Sequence, residues 1–164
     1  MTRYDIVGEG SEVTIGATSS LHAITGHADE LRGWIDLEGT QITGARIELD
    51  AQRLSWGNPL LDRETRRRID TAKHPTIVGT MTTLGSRDDA SMGLRGTIAF
   101  HGVEREVGGS VTVTTEADGA VLIEGEQAFD VRDWGLEPPR LLMLKVDPEI
   151  RVSVRVLANV RPRE

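Results

Sequence analysis

Apolar and polar positions alternate with a period of two along most of this chain. In Ala45-Arg46-Ile47-Glu48-Leu49-Asp50 the apolar residues take the odd positions and the charges the even ones. Ile150-Arg151-Val152-Ser153-Val154-Arg155-Val156 repeats the pattern with the apolar set on even positions. Leu94 to Phe100 and Val121 to Phe129 carry weaker versions. Side chains on a strand point alternately to its two faces, so such a pattern puts one face on a core and the other in water. The alternation predicts about eight half-buried antiparallel strands, near 11–18, 30–38, 41–50, 76–84, 92–101, 104–115, 119–130 and 148–159, with a short one at 3–7. Turns fall at Glu38-Gly39-Thr40, Ser86 to Ala90, His101-Gly102 and Ala117-Asp118-Gly119.

One segment keeps a helical period instead. Asn58-Pro59 supplies an N-cap and a proline for the first helical position, and Leu61, Thr65, Ile69 and Ala72 follow at helical spacing. His74-Pro75 ends the segment, because the residue before a proline avoids the helical region. The helix expected over 58–74 is rich in acid–base pairs three or four residues apart: Asp62 with Arg66, Glu64 with Arg68, Arg66 and Arg67 with Asp70, and Glu64 with Arg67. Arg63 has no acid at helical spacing and must find a partner elsewhere or meet a polar ligand head. One helix within a run of antiparallel strands gives the expected fold class: all-β, a barrel plugged at one end. No internal repeat or linker interrupts residues 1–164, which read as a single domain.

Composition sharpens this picture. Glycine is frequent (18 residues), aromatic residues make up 4 %, and cysteine is absent. Small residues at strand positions, such as Gly79, Thr83, Gly96, Gly125 and Ala128, leave room inside a barrel or mark bulges and bends. The lack of cysteine excludes disulfides, thiol catalysis and cysteine-ligated metals. With 26 acidic and 19 basic residues the net charge is −7, which disfavours nucleic acid and anionic membrane surfaces as partners. No apolar run approaches the ~20 residues needed to span a bilayer, and Met1 to Gly10 holds no signal-peptide core, so a cytoplasmic protein is expected. A homodimer is left open.

Candidate chemistry is sparse. His22 and His27 lie five apart, a spacing that suits no helical metal pair, and His74 fits a cation at a helix C-terminus. Neither a metal nor a cofactor is expected. His22, in Ser19-Ser20-Leu21-His22, is the strongest candidate for acid–base catalysis. The richest cluster is Phe129 to Arg140, where Arg132, Trp134 and Arg140 sit at a break in the alternation and two prolines extend the backbone. There Arg132 either bridges neighbouring acids or faces a ligand.

Four stretches in this order resemble the YceI-like family. They are Ser20-Leu21-His22-Ala23-Ile24 with Gly26, Asp62-Arg63 through Ile69-Asp70 to Lys73-His74-Pro75-Thr76-Ile77, Gly96 to Val103 with Glu104-Arg105-Glu106-Val107 after it, and Asp130-Val131-Arg132-Asp133-Trp134-Gly135. The last continues through Pro138-Pro139-Arg140 and Lys145-Val146-Asp147-Pro148, which resembles a branch of the actinobacterial type. The resemblance implies a lipocalin-like barrel with a long apolar tunnel for a polyisoprenoid or quinone-like molecule. On that footing Leu49, Ile77, Met81, Ile98, Phe100, Ile123 and Phe129 are expected along the tunnel. Trp34 and Trp134 are expected near its ends, and Arg63, Arg132 and Arg140 at a polar head. The leading expectation is a carrier. The alternatives are an enzyme acting on an apolar molecule in the same cavity with His22 as acid or base, and a barrel filled by its own side chains that works through its surface.

Overall fold

The computed structural model describes residues 1–88, 91–138, 140–141 and 144–162. Its strands are β1 (Thr2–Ile6), β2 (Glu12–Ser19), β3 (Ala23–Asp29), β4 (Arg32–Glu38), β5 (Gln41–Asp50), β6 (Thr76–Asp88), β7 (Ser91–Phe100), β8 (Val103–Thr115), β9 (Val121–Asp130), β10 (Arg140–Leu141) and β11 (Leu144–Val160). Every pairing is antiparallel. Eight strands close a ring in the order β1-β4-β5-β6-β7-β8-β9-β11 and back to β1. The expected all-β barrel with one helix is therefore the observed fold.

Two strands were not expected. β3 (Ala-Ile-Thr-Gly-His-Ala-Asp) turns Gly26 and Ala28 inward, and residues this small hide the alternation. β10 has only two residues and pairs with the start of β11. The long β11 serves two neighbours on one edge: Val146 to Arg155 pair with β2, and Ala158 to Val160 pair with β1. The register with β2 slips between Val146 and Ile150, around Pro148, which has no N–H to give to a ladder.

β1 closes the ring with seven register pairs, four to β4 and three to β11. Two bidentate ion pairs reinforce this short seam. Arg3 donates Nε and Nη2 to Asp36 at 2.8 and 2.9 Å, and Arg161 donates to Asp5 at 2.6 and 2.9 Å. Arg3 also lies 4.0 Å over the Trp34 ring, a cation–π contact on the outer face.

The helix α1 (Pro59–Ile69) starts where expected: the Asn58 side chain accepts from the Leu60 and Leu61 amides. It stops five residues before His74. Asp70 takes a left-handed conformation (φ 56°), its N–H reaches Arg67 O, and the Thr71 N–H reaches Arg66 O. These bonds satisfy the last carbonyls and turn the chain before Pro75 is reached. Glu64 takes both Arg67 (2.6 Å) and Arg68 (2.9 Å), as expected. Asp62 departs from the expected pairing with Arg66: it is buried and accepts from Ser55 Oγ and the Trp56 amide, both at 2.6 Å.

Asp62 is the bolt that fixes the helix to the barrel. Ser55 exchanges two backbone bonds with His27 of β3, and Trp56 lies flat over Gly26, where a Cβ would come within 2.9 Å of the ring. Trp56 Nε1 donates to Thr65 Oγ1 at 3.0 Å, one turn further along the helix. Asp62→Ala would strand the Ser55 hydroxyl and the Trp56 amide and is expected to cost about 1–3 kcal/mol, read as a lower urea midpoint.

Paired arginines hold the carboxyls of Asp5, Asp36 and Glu64 below their ordinary values, Glu64 down to about 2. A depressed folded value adds stability above the unfolded value, and that stability disappears as pH falls through the folded one. The folded state is thus expected to weaken as pH drops from about 4.5 towards 2. Glu64→Gln should flatten that part of a stability-versus-pH curve, and an unchanged slope would count against the pairing.

Candidate functional site

The inward row of the ring leaves an unfilled lumen. Its outer half is a cavity of about 270 Å3 reached by Ile35, Ile42, Ala45, Met81, Leu94, Ile123 and Val156. A second cavity of about 270 Å3 lies towards the helix, lined by Val13, Ile15, Leu31, Leu49, Leu54, Ile77, Phe100, Val131, Trp134 and Ile150. Both touch Ile47, Gly79, Ile98, Phe129, Val152 and Val154, so they are two halves of one lumen with a shared waist. As one lumen they enter the roughly 300–1,000 Å3 range of ligand sites.

Gly79 keeps the waist open. It pairs with Ile47 and Ile98, and a Cβ built on it would meet nothing within 4 Å. Other small residues of the strands do different work. A Cβ at Gly96 would lie 2.3 Å from the Thr80 carbonyl, and one at Gly125 would lie 2.9 Å from Val111, so these two let neighbouring strands approach. Ala128 pairs with the exposed Arg151, on the outer face. The Thr83 side chain lies outside the described residues.

The helix end is sealed by aromatic and aliphatic groups. Trp134 is 4 % exposed and donates Nε1 to the Ile98 carbonyl at 3.0 Å. Its ring packs against Phe129 (5.8 Å, edge-on) and Phe100 (6.4 Å). His101, in a left-handed turn, places Nδ1 3.1 Å from the Trp134 carbonyl, and His74 packs edge-on against His101 at 5.6 Å. Behind this layer Ala51, Ile69, Val131 and Leu136 form a small separate core.

Of the expected tunnel residues, Leu49, Ile77, Met81, Ile98, Phe100, Ile123, Phe129 and Trp134 all line the lumen. Trp34 does not. It neighbours the inward Ile35 and stands outside, under Arg3, because strand alternation turns consecutive residues to opposite faces. The arginines are also not gathered round the lumen. Arg63 is exposed with no partner among the described residues, since it points away from the helix's packed face. Arg132 is exposed and bidentate with Asp130, two residues away, at 2.7 and 3.0 Å. The Arg140 side chain lies outside the described residues. His22 is exposed in the turn between β2 and β3 and lines neither cavity. Sequence reasoning missed Trp56 and Asp62, whose roles depend on a contact between distant segments.

The cavity nearer the helix has no titratable side chain among its lining residues. Its chemistry is therefore apolar contact and shape, with no fixed charge to hold an anionic head. The description of a YceI-like domain matches residues 4–158. The chain belongs to the YceI-like family. Solved structures of similar fold include Burkholderia cenocepacia BcnA, with a TM-score of 0.84 at 12 % identity over 94 % of this chain and 100 % of that one. A polyisoprenoid binding domain from Saccharophagus degradans, implicated in plant cell wall breakdown, gives 0.80 at 15 % identity over 98 % and 100 %. The Campylobacter jejuni YceI protein gives 0.72 at 15 % identity over 85 % and 86 %. A comparison with curated protein sequences gives no match. At these identities the structural likeness speaks for the YceI-like fold alone.

Trp134 should be the side chain that the sealed end can least spare. Trp134→Ala is expected to cost about 3–5 kcal/mol, measured by chemical denaturation.

Proposed function

We propose that this YceI-like protein is a carrier that holds one apolar, isoprenoid-tailed molecule, such as a polyprenyl or quinone-like compound, within the barrel. The observation that carries the reading is the elongated lumen: two apolar chambers joined at a waist that Gly79 leaves open. A long, narrow, uncharged tail fits such a space, and burying it at about 25 cal/mol per Å2 supplies affinity without polar anchors. The similar Saccharophagus domain, described as polyisoprenoid binding, supports the choice of tail.

The test is to fill the waist. Gly79 has an ordinary backbone and free space before it, so Gly79→Leu should fold and place its side chain where the tail would pass. Titration with the fluorescent probe N-phenyl-1-naphthylamine, displaced by farnesol, should show binding by the wild type. The variant should bind at least about tenfold more weakly, a loss of about 1.4 kcal/mol, with a melting temperature equal to or above that of the wild type. Undiminished binding by Gly79→Leu would overturn the reading.

A further inference from the structure

The ladder between β8 and β9 is incomplete. Val111 to Thr115 pair with Val121 to Gly125, yet β8 begins at Val103 and β9 continues to Asp130. Val103 to Ser110 and Glu126 to Asp130 have no register with each other, and each strand is held there by its other neighbour, β7 or β11. One end of this slot closes where Gly125 packs under Val111, and the other where Arg105 Nε donates to the Asp133 carbonyl at 2.7 Å. Residues of both rims, Val107 to Ser110 and Gly125 to Gln127, line the outer chamber of the lumen.

Gln127 stands at the mouth. It pairs with Val152, a waist residue, so its register turns it inward, yet its side chain is exposed. It makes no hydrogen bond among the described residues. Gly109 lies opposite, where a Cβ would be 3.6 Å from Gln127 Oε1. Beside the slot runs a surface concavity of about 580 Å3, lined by Glu12, Glu124, Glu126 and Arg155 among others. It shares Ser110, Val111, Gly125, Glu126 and Val154 with the outer chamber, so groove and lumen lie on either side of the same strand segments at this edge of the slot.

We infer that the apolar ligand enters and leaves the barrel sideways through this slot, with the Gln127 carboxamide positioned at its mouth; this rests on the carrier reading. The helix end is blocked by the Trp134 layer, and parting a fully laddered pair of strands would break successive backbone hydrogen bonds. The slot has no ladder to break. A free amide and open strand edges give a passing polar head hydrogen-bonding groups while the tail enters the apolar waist.

The chain has no cysteine of its own, so a reversible lock can be installed across the slot. In Gly109→Cys/Gln127→Cys the rims can be joined by an added oxidant or by a short bis-maleimide, and Gly109→Phe narrows the slot without any cross-link. Stopped-flow fluorescence with N-phenyl-1-naphthylamine should show uptake and release both slowed about tenfold or more in the locked protein and in Gly109→Phe. Reducing a disulfide lock should return both rates to those of the same variant before oxidation. If the probe binds but its rates ignore both the lock and Gly109→Phe, the lateral passage is wrong and the carrier reading stands. If the wild type takes up no probe, the carrier reading falls and the passage with it.

Discussion

The architecture depends on an inner strand face that is mostly apolar and too sparsely filled to close on itself. Protein interiors ordinarily pack to the density of organic crystals, and an unfilled volume forfeits contacts on every side. Here Gly79 withholds a side chain where the two chambers adjoin, beside Ile47, Ile98, Phe129, Val152 and Val154. The wall of the lumen is itself the best-packed part of the core: Leu31, Ile35, Ile42 and Val156 line it, Leu37 and Ala158 belong to the same cluster, and all six are at most 3 % exposed.

Two fastenings keep the ring from collapsing or unrolling. At one side the five-residue β1 joins β4 to β11, with Arg3–Asp36 and Arg161–Asp5 across the seam. At the helix end, Asp62, Ser55 and Trp56 tie α1 to the β3 edge, and the Trp134 layer finishes the closure. In both places a charged or polar group with all its partners in place sits beside apolar surface. Such groups fix geometry by direction, where hydrophobic contact alone is indifferent to it.

Much of this was legible in the sequence because alternation reports directly on which residues face inward. The strands over 41–50 and 150–156 carry large β-branched or aliphatic residues on one face, and the expected tunnel residues from Leu49 to Phe129 line the lumen. β3 escaped because its inward residues are Gly26 and Ala28, which carry almost no hydrophobic signal. Trp34 was misplaced because an aromatic residue on a strand can serve either face, and its partner Arg3 lies 31 positions away in the chain. The helix ran shorter than its period suggested, since Asp70 gave no sign in sequence of its left-handed turn. Of the two roles open to Arg132, the bridge to a neighbouring acid is the one observed: it pairs with Asp130 two residues away, a local pairing that costs little chain entropy to form.

The most direct measurement of an occupied lumen is methyl NMR of the protein titrated with farnesol. The account predicts saturable shifts at Ile47, Ile98, Val152 and Val154, which meet at the waist, and little change at Leu37 and Leu61, which are buried away from it. Shifts confined to outward-facing methyls, or waist methyls that do not respond as farnesol binds, would contradict it.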